Sequence, residues 1–316
     1  MTDTRRTAVL LCSLLLAAMV SAQARADFSD AACKAAFLDH MNRKAAAIGL
    51  TATHFADGSG IVPTHSTITA IDALRLALCA DGYRGISDAW GAESYDLHIG
   101  GRHERTVTLV PRDRTPFTNY YHLLGAKTGT LQGCNNAIVI GEDHEGGKYV
   151  MVVVGSTWTE RWRDVRKLMD IGRRKRKDAA ADVRDIRLTA TSGLVCAYRA
   201  PLPLQLRFDP LPILYAKQPD EVRLPASVTK TMTAICMLDL VDNLDSSFEI
   251  KKSDLTGGSG PVFFDGDSIT FRDALYAMFI PSSNTVAVAL SRVIGRQILS
   301  RPYNRNASPY RLWQAP

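Results

Sequence analysis

Apolar residues recur at helical spacing from residue 29 to 48, where Phe37, Met41, Ala45 and Ile48 share one face and Gly49 supplies the stop. The same spacing over residues 66–80 aligns Ile68, Ile71, Leu74 and Leu78 ahead of Gly82, predicting a second helix. Then the texture changes. Residues 106–110, 137–140 and 149–154 are β-branched runs, and Asp143-His144-Glu145-Gly146-Gly147 between the last two reads as a hairpin turn. Helical spacing resumes over residues 158–171 and ends at Gly172, after which residues 173–185 are charged and poor in large apolar side chains, predicting a linker. Beyond it, residues 188–198 and 213–216 read as a second hairpin, with Pro201, Pro203 and Pro210 in its connection. Ser227 opens a helix carrying Met232, Ile235, Cys236 and Leu238. Residues 270–280 predict another, with Thr270 and Asp273 spaced as a capping box and Pro281 as its stop. From Ser283 a further helix climbs through Val286, Val288, Leu290 and Ile294, and residues 296–316, polar and basic without a period, predict a loosely held tail.

Composition adds little to this picture except at the N-terminus. With 316 residues and 46% hydrophobic content the chain can bury a substantial core. Arg5 and Arg6, an apolar run over residues 8–20, and the small residues Ala22, Ala24 and Ala26 form an export leader, with cleavage expected after Ala24 or Ala26. That run is short for a bilayer span, and Leu11 before Cys12 argues against a lipoprotein. Cys33, Cys79, Cys134, Cys196 and Cys236 remain, an odd number without metal-ligand spacing. They read as buried thiols, although one pair could bond in an oxidising compartment. Much of the +6 balance lies in Arg173-Arg174-Lys175-Arg176-Lys177, which reads as a solvated linker rather than a nucleic-acid signal, with weak attraction to an anionic envelope surface as a secondary use.

Three short motifs carry the chemistry: Lys127-Thr128-Gly129, Ser227-Val228-Thr229-Lys230 and Ser282-Ser283-Asn284. Ser227 and Lys230 are three apart at a helix start and so share a face. A lysine whose charge is disfavoured by burial and by neighbouring cations takes the hydroxyl proton as the serine attacks a carbonyl. The pair alone is weak evidence. An S-x-x-K arises about once by chance in a chain of this length, and an N-cap serine with an exposed lysine one turn on explains the bare motif.

Context decides between them. Pro225-Ala226 before the serine, Thr231-Met232-Thr233-Ala234 after the lysine, and Tyr276-Ala277-Met278-Phe279-Ile280-Pro281 leading into Ser282 closely resemble the serine D-alanyl-D-alanine carboxypeptidases, the low-molecular-mass penicillin-binding proteins. The likeness continues over residues 258–284 and, out of order, through Met41-Asn42, Thr53-His54-Phe55, residues 67–78, Lys127-Thr128-Gly129-Thr130 and residues 137–155. It covers most of residues 32–172 and 187–295. The resemblance implies an α/β (α+β) fold of the penicillin-binding and serine β-lactamase type: a largely antiparallel five-stranded sheet, helices on both faces, and a helical subregion. It implies Ser227 as nucleophile, Lys230 as its activator and Ser282 as proton relay toward the leaving amine. Asn284 would bind a substrate amide and Lys127 add positive potential. Thr128 would bind the terminal carboxylate, and the backbone N–H groups of Ser227 and Thr130 would form an oxyanion hole. No metal or organic cofactor is implied.

The implied activity is DD-carboxypeptidase action on peptidoglycan stem peptides in the periplasm or cell wall, by a monomer that β-lactams acylate and nucleic acid does not concern. DD-endopeptidase action uses the same residues. A β-lactamase is the nearest rival, but no clear Glu-x-x-x-Asn segment is present, and a non-catalytic wall-binding protein is the alternative from another class. The family orders its motifs S-x-x-K, S-x-N, K-T-G, whereas here K-T-G precedes the others by about a hundred residues. The chain therefore reads as circularly permuted: residues 1–26 as leader, 27–172 as the second half of the catalytic domain, 173–186 as linker, 187–295 as the first half, and 296–316 as tail. A gene rearrangement is the competing account. A working permutation requires Gly295 and Ala32 within roughly 15 Å and strands of both halves in one sheet.

Overall fold

The computed structural model describes residues 28–62, 65–131, 133–198 and 211–300. Along the chain lie α1 (Asp30–Ala47), α2 (Ala70–Asp81), α3 (Arg84–Gly91), β1 (Tyr95–Gly101), β2 (Arg105–Leu109), the single turn α4 (Thr115–Thr118), β3 (His122–Leu131), β4 (Cys134–Glu142), β5 (Lys148–Ser156) and α5 (Arg161–Lys177). They continue with β6 (Ser192–Tyr198), β7 (Ile213–Lys217), a 3₁₀ turn at Ala226–Val228, α6 (Thr229–Leu240), β8 (Ser247–Glu249), β9 (Asp267–Thr270), α7 (Phe271–Phe279) and α8 (Asn284–Ser300).

Five strands pair antiparallel in the order β3-β4-β5-β6-β7. Buried side chains alternate along them: Ile138, Ile140, Val150, Val152, Val154, Leu194 and Cys196 face a core shared with Phe37, Leu74, Met232 and Leu290 of the helical layer. Ala137, Val139, Tyr149, Met151, Val153 and Val195 face Trp162, Val165, Leu168 and Met169 of α5. Both faces are covered, which is why these strands are apolar at successive positions and why a one-residue slip would exchange the two cores. Each fully buried apolar side chain of this size contributes about 1.5–3 kcal/mol. This is the five-stranded, helix-flanked architecture that the resemblance implies.

The segment before residue 178 and the segment after 187 meet inside that sheet, with Val152 opposite Leu194 and Val153 opposite Gly193. They also meet where α8 crosses α1, so closely that a Cβ on Gly295 would fall 1.8 Å from the Cys33 carbonyl oxygen. Arg296 adds to this junction by donating to the Phe28 carbonyl at 3.0 Å.

Two boundaries differ from expectation. Residues 173–177 belong to α5 and not to a linker. The cations lie at the helix C-terminus, where the macrodipole favours them, and they have partners: Arg173 lies 3.4 Å from Asp143, Lys177 2.5 Å from Glu145, Arg174 2.8 Å from Asp185, and Arg176 stacks on the Tyr149 ring. The exposed connection begins at Asp178. Likewise α8 takes in residues 296–300, which the sequence assigns to the tail. The leader, the Pro201–Pro210 connection and residues 301–316 lie outside the described residues.

A second sheet, β2-β1-β9-β8, is only half visible in the sequence. Residues 106–110 stand out as β2, but β1 reads Tyr-Asp-Leu-His-Ile-Gly-Gly and is paired by tertiary contact, with Tyr95 stacked on Tyr276 at 3.8 Å. Helix α3, which the sequence does not single out, is only eight residues long and buries Ile86, Ala89 and Trp90 at helical spacing. Cys33, Cys79, Cys134, Cys196 and Cys236 are free thiols, four of them buried.

Candidate active site

The turn Ala226–Val228 leads into α6, which places Lys230 one turn beyond Ser227 and directs both side chains to the junction of the sheet and the helical layer. Lys230 Nζ donates to Ser227 Oγ, to the Ser59 carbonyl and to Asn284 Oδ1, each at 2.8 Å. The ammonium is wholly buried. Burial pushes its pKa down to about 7, helped by the Arg112 guanidinium and opposed by the Asp57 carboxylate. A lysine near neutrality in contact with a serine hydroxyl is equipped to act as a general base.

Pro281 ends α7, and Ser282 turns the chain with φ +66° before α8 begins at Asn284. Ser282 and Ala226, the latter at φ +48°, are two of the four described non-glycine residues in the left-handed region. Both flank the reacting groups, where strained backbone is commonly held by its surroundings. Asn284 is anchored at both ends of its amide, Oδ1 on Lys230 and Nδ2 on the Gly257 carbonyl at 3.0 Å.

Strand β3 closes the other side. Lys127 Nζ donates to Ser282 Oγ at 2.9 Å and to the Thr128 carbonyl at 2.7 Å. Its pKa lies well below the usual ammonium range, because it is buried and faces Lys230, Arg161, Arg112 and Arg114. Gly129 is required by proximity: a Cβ there would fall 2.7 Å from the Pro225 carbonyl oxygen and 3.2 Å from the Ser227 amide nitrogen. Arg161 at the start of α5 donates to the Gly129 carbonyl at 3.1 Å and to Thr130 Oγ1 at 2.9 Å. Thr128 shares a recess with Arg112 and Arg114, a cationic setting for a carboxylate.

Five of the seven residues singled out by the sequence meet in one site, Ser227, Lys230 and Asn284 through hydrogen bonds and Lys127 through Ser282; Thr130 is tied to Arg161, and Thr128 lines a recess with Arg112 and Arg114. Asp57, Ser59, Arg112, Arg114 and Arg161 also belong there and carry no signal in sequence. They sit in loops or at an element end, and they reach the cleft only through tertiary contact. Among the described residues no three His, Cys, Asp or Glu side chains cluster as a metal site would require.

Residues 211–297 match the D-alanyl-D-alanine carboxypeptidase family model. The matched segment holds both serines, Lys230 and Asn284, while Lys127-Thr128-Gly129 lies outside it and enters the site by folding. No curated protein and no solved structure matches the chain.

Proposed function

We propose that the protein is an exported serine DD-carboxypeptidase that removes the terminal D-alanine from peptidoglycan stem peptides, its catalytic domain assembled from two segments in permuted order. The observation that carries this reading is the contact of Lys230 Nζ with Ser227 Oγ inside a wholly buried, cation-rich site. The family match over residues 211–297 supports the same class of chemistry.

In this mechanism neutral Lys230 takes the Ser227 proton as Oγ bonds to the carbonyl carbon of the penultimate D-alanine. The backbone N–H groups of Ser227 and Thr130 hold the oxyanion. Arg112 and Thr128 take the terminal carboxylate, and the proton taken by Lys230 is relayed through Ser282, in contact with Lys127, to the amine of the departing D-alanine as the C–N bond breaks, leaving Lys230 and Ser282 as they began. Water then attacks the ester, giving the shortened peptide acid and restoring Ser227. A β-lactam would follow the first half of this path and remain as an acyl-enzyme.

Fluorescent-penicillin labelling with parallel measurement of D-alanine release from a D-Ala-D-Ala-terminated peptide tests the proposal. The expected result is stable labelling and release, both abolished in Ser227→Ala. Labelling that persists in Ser227→Ala would assign another nucleophile, and an unlabelled, inactive wild type would overturn the enzyme reading.

A further inference from the structure

Behind Lys230 lies a turn that neither motif nor mechanism accounts for. Asp57 Oδ1 accepts from the Ser59 amide at 2.6 Å, the Ser59 hydroxyl at 2.5 Å and the Gly60 amide at 2.7 Å, and Oδ2 accepts from the Val62 amide at 3.2 Å. One carboxylate therefore organises the whole turn. Two carbonyls of that turn are delivered to one face of α6: Gly58 accepts from Thr233 Oγ1 at 2.5 Å, and Ser59 accepts from Lys230 Nζ at 2.8 Å. The turn also presses on the residue before the candidate nucleophile. Gly60 has φ +75°, and a Cβ there would fall 2.0 Å from the Ala226 carbonyl oxygen and 2.7 Å from Thr229 Oγ1. Gly60 is thus required twice, for its left-handed backbone and for its lack of a side chain.

We propose that Asp57 is a positioning residue for Lys230: its carboxylate builds the turn that offers the Ser59 carbonyl to Nζ, and it sets a negative charge behind the ammonium. Three donors on Nζ are satisfied by Ser227, Asn284 and Ser59, so removing the last acceptor would free the lysine to rotate away from Oγ. The charge acts in the same place. Arg112 from the segment after β2 and Lys127 from β3 crowd Lys230 with positive charge, while Asp57 is the acidic group facing it and favours its protonated form. Arg114 and Arg161 bear on Lys127 from the far side.

The inference rests on the proposed serine chemistry for its kinetic arm but not for its spectroscopic one. Asp57→Asn keeps an acceptor for the Ser59 and Gly60 amides and removes the charge, whereas Asp57→Ala removes both. The full chain, labelled with 13Cε-lysine and with the Lys230 signal identified by its loss in Lys230→Ala, is titrated by NMR. The second-order rate of fluorescent-penicillin labelling is measured across the same pH range. The Lys230 midpoint is expected to move to lower pH in Asp57→Asn, and the acid limb of labelling to move with it. A midpoint lower by about half a pH unit would make labelling about threefold faster on that limb. Asp57→Ala is expected to lose at least about tenfold from the plateau rate as well, in line with loss of orientation at a general base. If Asp57→Ala proves unfolded, the Asn variant and Ser59→Ala, which deletes one of the four donors, carry the test. An unchanged Lys230 midpoint in Asp57→Asn overturns the inference. A wild type that penicillin does not label removes the enzymatic reading alone, because the NMR titration still decides the role of Asp57.

Discussion

Lys230 shows how a fold brings an ordinary lysine close to neutrality. In water its ammonium would hold its proton until far above neutrality. Here burial brings the pKa to about 7, so the neutral form becomes abundant at the pH where the chemistry is proposed. The sign of the pH dependence follows. Protonated Lys230 cannot accept the Ser227 proton, so the second-order rate of β-lactam acylation should rise about tenfold per pH unit below pH 7 and level off above it. A profile flat between pH 5 and 8 would exclude Lys230 as the base. Lys127 donates to Ser282 and to its neighbour's carbonyl, and Lys127→Ala should slow acylation by about 10²–10³-fold. The serines and lysines are legible as motifs at this scale. Asp57, Ser59 and Arg112 are not, because each acts on a group far along the chain, Ser59 and Lys230 being 171 residues apart.

Among the elements, the helices are read most directly, since period and caps are local. Thr270 and Asp273 form the reciprocal capping box that their spacing predicts, with Thr270 Oγ1 accepting from the Asp273 amide and Asp273 Oδ2 accepting from the Thr270 amide. Thr270→Ala should therefore cost about 1 kcal/mol in chemical denaturation. Labelling should be spared, because the Ser282 turn is set at the other end of α7 by Pro281 and by the Ser283 amide on the Ala277 carbonyl at 2.8 Å. The basic run departs from its sequence reading for an equally physical reason. Residues 173–177 lack large apolar side chains, yet they prolong α5 because carboxylates on the β4–β5 turn and beyond the helix meet their charges. Strand β1 is hidden in the sequence because its partners, not its composition, make it a strand.

At the scale of the molecule, the two segments share one sheet and one helical core, so the covalent connection across residues 178–187 is expected to be dispensable once the chain has folded. A protease site inserted at the exposed residues 178–180 should give two fragments that co-elute and still label with penicillin, measured by size-exclusion chromatography under native conditions. Fragments that separate would show that the β5–β6 ladder and the α1–α8 contact do not hold the domain. The shared core makes a matching demand. Leu74 is fully buried between α2 and the sheet, and Leu74→Ala should lose about 2–5 kcal/mol of stability.

The sequence by itself determined most of the longer helices, the two hairpins around the central sheet, and the candidate residues for acyl-transfer chemistry, because spacing, caps and short motifs are local properties of the chain. Only the tertiary structure decided that Lys127 meets Ser282, that a carbonyl from a distant turn holds Lys230, that cations flank Thr128, and where the basic run ends its helix. Each of these depends on groups brought together by burial, and desolvation and charge act through space, where distance along the chain has no bearing.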